Sequence, residues 1–442
     1  MPTPRTIDLL LKGGTILCMD KDLRILEGHH VAIDQGRILD IFPTGSQDWS
    51  PRETLDATGC LILPGLINSH THLPMSYFRG LADDLPLQTW LNDYIWPLEA
   101  KLLDRKFIAD AALHGAAEMI AGGITQIHDM YFDMPAIAES CSRAGLRAMI
   151  GGAVIENQPE IHSSGANWLE QLLEAKRRFA DDPLLDFDLA PHSIYVCPQA
   201  TLEKCAQAAS DHALRLHMHL SETRDEVQNC IKDHGRKPVF YLKELGILDL
   251  PAVYAHGIWV GEDEMELLAD APASIAVCTE CNLKLASGIL PLEAYLRRGV
   301  NVCLATDGVA SNNNLDLFSE MDVTAKLQKA VNHDPSFLPA VKALQMATCD
   351  AARALGVEDR RGSLEPGKDA DICVLELESL AAQPLYNPYS HVVYALGSRS
   401  VRDVVINGRI VLKNRRLTQL DEAELIDTAK RYQTRIQKEL GR

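Results

Sequence analysis

Positive charge is scarce in this chain. Lys and Arg total 43 against 61 Asp and Glu, giving a formal net charge of -18. Nucleic acid and anionic membrane surfaces would repel it, so neither is expected as a partner. No apolar run is long enough to span a membrane. No signal-peptide core follows Met1-Pro2-Thr3-Pro4-Arg5, which leads straight into a strand pattern. The eleven cysteines are scattered and form no disulfide-like framework. Cys278-Thr279-Glu280-Cys281 has CxxC spacing but lacks a second pair, which favours a packing role. Together these absences predict a cytoplasmic protein in a reducing compartment. A glycine-rich phosphate loop is also missing after the first strand of the middle segment.

What is present is enough apolar material for a large core. The 442 residues are 46% hydrophobic, which suits an enzyme core with an accessory domain. The two ends read as short strands and turns. Val31–Ile33 and Arg37–Ile41 form a hairpin pattern around Asp34-Gln35-Gly36, and Val401–Ile406 and Arg409–Leu412 form another around Asn407-Gly408. Asp421–Leu440 reads as a charged amphipathic helix. Between the ends, eight short apolar strands alternate with helices: Leu61–Asn68, Ile124–Asp129, Ala148–Ile155, Phe187–Ala190, Leu214–Leu220, Ala252–Ala255, Ser274–Val277 and Val300–Ala305. One of the helices, Phe107–Ala121, stops at Gly122-Gly123. The expected fold is α/β, a (β/α)8 TIM-like barrel with a small β-sandwich domain formed from both chain ends. Residues 1–60 and 361–442 supply the small domain and 61–360 the barrel. A doubly wound open sheet is the alternative.

Barrel enzymes carry their chemistry at the C-terminal ends of the strands. The first strand runs into His70-Thr71-His72, whose imidazoles share one face by strand parity. Alone, that pair is equally compatible with two buried, hydrogen-bonded histidines. The other strand ends add His128-Asp129, Pro191-His192, His219 to Glu222, His256-Gly257 and Thr306-Asp307-Gly308. Core packing does not call for polar residues recurring at one level. His70, His72, His219 and Asp307 therefore read as ligands of one divalent metal, with zinc the default and iron the alternative. His217 shares the parity of His219 and is the alternative third ligand. Such a metal lowers the pKa of a bound water towards about 7. Asp307 and His256 would orient that water and share its proton. Glu222, expected one helical turn past His219, would shuttle a proton to the substrate. No lysine ends strand 4, which favours one metal over a carbamate-bridged pair.

With those residues in place, the chain resembles the amidohydrolase superfamily, in its branch of 5'-methylthioadenosine/S-adenosylhomocysteine deaminases and chlorohydrolase relatives. The resemblance rests on PGLINSHTHLPMSYFRGLADDLPLQTWLNDYIWPLEAKL (64–102), HLSET (219–223), AHGIWV (255–260), NLKLASG (282–288), LATDGVASNNNLDLFSEM (304–321) and SLEPGKDADICVL (363–375), and it covers nearly the whole chain. It implies the same four ligands and the pair Glu222 and His256 for proton transfer. It also implies Glu99 for the ribose hydroxyls, His192 as a substrate-binding histidine and Trp90 as a wall for the base or thioether. The implied activity is hydrolytic deamination of an adenine nucleoside to the inosine analogue and ammonia. The implied partner is a small-molecule nucleoside; oligomeric state is open, with a homo-oligomer allowed. Rival readings are a deaminase or dechlorinase of a bare ring (guanine, cytosine, triazine) and a non-catalytic barrel scaffold. There are two departures. Residues 148–176 contain no arginine to meet a homocysteinyl carboxylate, and the family's Cys-Pro-x-Ser-Asn is Cys278-Thr279-Glu280-Cys281-Asn282 here.

Overall fold

The apolar strands of the middle segment form a parallel eight-stranded barrel, in a computed structural model that describes residues 5–47, 49–156 and 167–441. Its strands are Leu66–Thr71, Ile124–Tyr131, Arg147–Val154, Leu185–Pro191, Leu216–Leu220, Ala252–His256, Ala273–Val277 and Asn301–Leu304, hydrogen-bonded in sequence order. Strands 1 and 8 meet where Asp307 N donates to His70 O at 3.1 Å. Strands 1, 2, 5 and 6 are buried at every position, because barrel interior and surrounding helices cover both faces. That is why they read as continuous apolar runs. The helix Arg105–Ala121 is capped by Asp104, whose side chain accepts from Phe107 N, and it ends at Gly122.

The strand expected over Leu61–Asn68 is in fact two strands in different sheets. Cys60–Pro64 pairs antiparallel with Ile372–Glu376 in a seven-stranded sheet outside the barrel. Leu66–Thr71 then pairs parallel with Ile124–Tyr131 inside it. The chain changes sheet at Gly65, where a Cβ would lie 2.2 Å from the Thr125 side chain. A run of apolar residues cannot reveal such a break, since both halves are buried.

The small domain packs two sheets face to face. One contains Arg5–Lys12, His29–Asp34, Arg37–Pro43 and Trp49–Asp56. The other joins Thr15–Leu17, Ile25–Glu27 and Cys60–Pro64 to the C-terminal strands Ile372–Glu376, Val401–Ile406, Arg409–Lys413 and Arg416–Leu417. Leu11, Val31, Ile33, Ile62, Ile372 and Val374 fill the space between them. Both expected hairpin turns are present, with Gln35-Gly36 and Asn407-Gly408 at positive φ. Arg147, buried at the start of barrel strand 3, ties the two domains together. Its Nε donates to Asp371 Oδ2 at 2.7 Å and its Nη2 to Asn407 Oδ1 at 3.1 Å. The terminal helix is Glu422–Glu439, capped by Asp421. No helix among the described residues is long and apolar enough to cross a membrane.

Candidate active site

Three imidazoles and a carboxylate converge at the C-terminal mouth of the barrel. One ligand atom from each of His70, His72, His219 and Asp307 lies within 4.8 Å of the others. The hydrogen bonds around them fix which nitrogen faces inward. His72 Nδ1 donates to Met130 O at 2.6 Å and His219 Nδ1 to His192 O at 3.0 Å. His70 Nδ1 is 2.8 Å from His217 Nε2. With each Nδ1 engaged, Nε2 is the nitrogen that each ring turns to the cluster. Asp307 Oδ1 lies 3.3 Å from Nε2 of both His70 and His72.

Charge at this point favours a cation. Burial opposes ionisation of Asp307, but the imidazoles of His70 and His72 beside it outweigh burial and hold the carboxyl well below the usual range. Burial lowers His72 as well, yet its bond to Asp307 wins and raises it to about 9. His70, buried and without that net gain, falls to about 3. Its Nε2 has no hydrogen-bond partner. A neutral, buried, orphaned nitrogen beside an anionic carboxylate fits a metal ligand and has no role in a plain packing cluster. The cluster binds one divalent metal, and the sequence alternative, His217, lies behind His70 and outside it.

Asp307 is held on every side. Gly308 N donates to Oδ1 at 2.7 Å, and Ser311 Oγ and Cys281 Sγ donate to Oδ2 at 2.9 and 2.8 Å. Cys278 and Cys281 are both buried in one apolar cluster, and Cys281 in addition contacts the Asp307 carboxylate. Asp307 and His256 both adopt left-handed backbone, at φ 62° and 71°. Non-glycine residues there mark strain that surrounding structure must maintain, as functional sites often do.

The proton-transfer candidates sit across from the ligands. His256 Nδ1 donates to Asn282 Oδ1 at 2.8 Å, leaving Nε2 as a base 3.7 Å from Glu222 Oε2. Glu222 is not on a helical turn as expected. It lies in the loop before the helix Arg224–His234, after Ser221 at φ 49°. The loop is shaped by Glu226, whose oxygens accept Ser221 N and Glu222 N at 2.8 Å each. Ser287 Oγ donates to Glu222 Oε1 at 3.2 Å. Burial raises the Glu222 pKa, and nearby His256 only partly offsets this.

A cleft opens above the cluster and is lined by His72, His192, His219, Glu222, His256 and Asp307 together with Glu99 and Trp90. Of the nine residues singled out in the sequence, only His70 lies below its floor. Trp90 opens a π-helical turn, Trp90–Ile95, that runs into the helix Trp96–Leu102 carrying Glu99. Glu99 is buried and accepts a hydrogen bond from Tyr131 OH. Burial raises its pKa to about 7 although Tyr131 pulls it down. His192 stacks on His219, with ring centroids 4.3 Å apart. Burial beside the other histidines takes His192 down to about 3, so it faces the cleft neutral. The remaining walls are largely apolar, among them Leu91, Trp96, Phe132 and Leu285. Within the arginine-free segment 148–176, residues 157–166 lie outside the described residues.

Comparison with known proteins agrees with this geometry. The amidohydrolase family model matches residues 61–411. The chain belongs to the amidohydrolase family. A 5-methylthioadenosine/S-adenosylhomocysteine deaminase from Syntrophobacter fumaroxidans is 43% identical over 426 residues, covering 95% of this amidohydrolase and 96% of the relative. A 5'-deoxyadenosine deaminase from Methanothermobacter thermautotrophicus is 41% identical over 425 residues, covering 95% and 97%. Among solved structures, an adenosine deaminase from Xanthomonas campestris with bound zinc superposes with a TM-score of 0.95 at 37% identity. That match covers 98% of this chain and 100% of that one.

Sequence reasoning missed Tyr131, Asn282, Ser287, Glu226 and Cys281. Their partners lie 26 to 65 positions away except for Glu226, four residues past Glu222, so no local pattern marks the other four. The Cys281 departure from the family pattern was visible, but its contact with Asp307 was not.

Proposed function

We propose that this amidohydrolase is a deaminase of adenine nucleosides that yields the inosine analogue and ammonia. The observation that carries the reading is Glu222: a buried, non-ligand carboxyl with a raised pKa, facing the cleft beside the basic Nε2 of His256. Amine loss from an aromatic amidine needs such a proton donor. A divalent ion among His70, His72, His219 and Asp307, with zinc the default, supplies Lewis-acid charge and lowers the pKa of a water to about 7. Glu222 donates its proton to ring N1, which makes C6 electrophilic. His256 Nε2, with Asp307, takes the proton of the attacking water. That proton then goes to the exocyclic nitrogen, the C6–N bond breaks to release ammonia, and the hydroxyl left on C6 returns its proton to Glu222 as the carbonyl of the inosine analogue forms. Glu99 accepts the ribose hydroxyls and His192 positions the nucleoside, with Trp90 against the base or its 5' group. Such positioning contributes several kcal/mol to barrier lowering.

The test is ammonia release from adenosine, 5'-methylthioadenosine, 5'-deoxyadenosine, S-adenosylhomocysteine, guanine, cytosine and a chlorotriazine. Glu99→Ala separates a nucleoside substrate from a bare ring. Loss of hydrogen bonds to a charged acceptor is expected to raise the nucleoside KM about 10–100-fold. An unchanged KM would assign the cleft to a bare ring. Metal analysis of the purified protein separates enzyme from scaffold, the scaffold predicting no bound ion.

The lining supports an uncharged 5' group. No lysine or arginine is among the described residues of the cleft. A zwitterionic homocysteinyl tail would meet apolar walls without a charged partner. We expect kcat/KM for 5'-methylthioadenosine or 5'-deoxyadenosine to exceed that for S-adenosylhomocysteine by at least about tenfold, the equivalent of one imperfectly paired charge. Equal values in side-by-side steady-state assays would refute this. The net negative charge of the chain supports a free small molecule over nucleic acid as substrate. The cysteines are all free thiols, each buried except Cys349, which supports a reducing cytoplasmic setting.

A further inference from the structure

Behind the ligand cluster lies a polar group that the proposed reaction does not use. His217, two residues before His219 on barrel strand 5, is fully buried, and its Nε2 is 2.8 Å from His70 Nδ1. One face of its ring stacks on His128 from strand 2, with centroids 3.6 Å apart and planes 19° off parallel. His128 Nε2 in turn donates to Asp188 Oδ2 on strand 4 at 2.5 Å. Side chains from strands 1, 5, 2 and 4 thus form one buried ladder ending at His70.

The ladder is not a second metal centre, although His128, Asp188 and His217 lie close enough to suggest one. Imidazole lone pairs lie in the ring plane. Two rings stacked in near-parallel planes do not aim those lone pairs at one ion about 2.0–2.1 Å from each. His217 Nε2 is also already committed to His70.

The ladder instead explains how one tautomer of His70 is selected. To offer Nε2 to a metal, His70 must carry its hydrogen on Nδ1. His217 Nε2 is the acceptor in contact with that hydrogen. His217 then carries its own hydrogen on Nδ1, which has no partner. His217 can thus accept from His70, at the cost of its own unpaired Nδ1–H, which the metal held by His70 Nε2 would offset. Without His217 the buried Nδ1–H of His70 would be left unpaired, and the ring would gain by moving the hydrogen to Nε2, where it blocks the metal.

We propose that His217 is a positioning residue that locks His70 as an Nε2 ligand, with the His128–Asp188 pair bracing its ring from behind. The proposal rests on the reading of His70 as a ligand. Outer partners of this kind typically change metal affinity about 10–100-fold.

The test uses the full-length zinc-loaded protein and measures zinc transfer to excess chelator, zinc stoichiometry and nucleoside KM. His217→Leu is expected to loosen zinc about 10–100-fold, with KM unchanged at saturating zinc. His217→Gln places an amide oxygen near the former Nε2 and is expected to restore retention to within a few-fold of wild type. His217→Asn is too short to do so and should resemble the leucine variant. Zinc retention by His217→Leu equal to wild type, or equal losses in the glutamine and asparagine variants, overturns the proposal. The glutamine–asparagine comparison decides the matter if the leucine variant does not fold. His70→Ala, measured alongside, separates the two layers. If it keeps its zinc, the ligand reading fails; if it alone loses zinc, only the positioning role fails.

Discussion

Glu222→Gln is expected to lower kcat about 10²–10⁴-fold while the protein keeps its full complement of metal, the range that general acid–base groups contribute. Glutamine preserves the size of the side chain and an oxygen for Ser287 Oγ, so loop geometry should survive. What is lost is an acidic proton. Burial keeps that proton on Glu222 to higher pH than an exposed carboxyl would allow, which suits donation near neutrality. No neighbour replaces it. Glu226 is buried nearby, but its oxygens are occupied by the backbone N–H groups of Ser221 and Glu222. His256 is placed to take a proton from water at the same moment. The measurement is steady-state ammonia release with metal content determined on the same sample. A near-wild-type kcat would remove Glu222 from the mechanism, and a parallel loss of metal would make it a ligand instead.

His70→Ala should abolish metal binding and activity together. The side chain has no exposure, and its deletion removes a ligand whose Nε2 has no other partner. It also leaves His217 Nε2 without a hydrogen-bond partner. Zinc affinity should fall by more than about 100-fold, the upper end of what outer contacts alone achieve. Elemental analysis after gel filtration, compared with residual deamination, measures both losses at once. A variant that retains stoichiometric metal and turnover would show that His70 is a packing histidine after all.

Much of the site was legible in the sequence because barrel topology converts linear position into depth. A polar residue just past an apolar strand lands at the mouth, so His70, His72, His192, His219, His256 and Asp307 could be read from strand ends alone. Glu99 and Trp90 could not. They sit on an irregular helical excursion after strand 1, and only resemblance to a family marked them. Parity could not choose between His217 and His219, since both point the same way from strand 5, but nearness to the strand end favoured His219. Depth separates them: His219 reaches the cluster and His217 stops behind His70. The strand boundary at Gly65 was hidden because sheet and barrel both demand buried apolar residues there.

Fold class, the spacing of the clustered histidines and aspartate along the chain, and the net negative charge were already legible in the linear chain. Those are properties of period, composition and strand order, and they are written locally. Tertiary structure alone decided which nitrogen of each imidazole faces the cluster and which distant side chain braces Asp307. Each depends on hydrogen bonds between residues far apart in sequence: His70 with His217, His72 with Met130, Cys281 with Asp307. Only closure of the barrel brings those groups within about 3 Å, the distance at which a hydrogen bond selects one tautomer over the other.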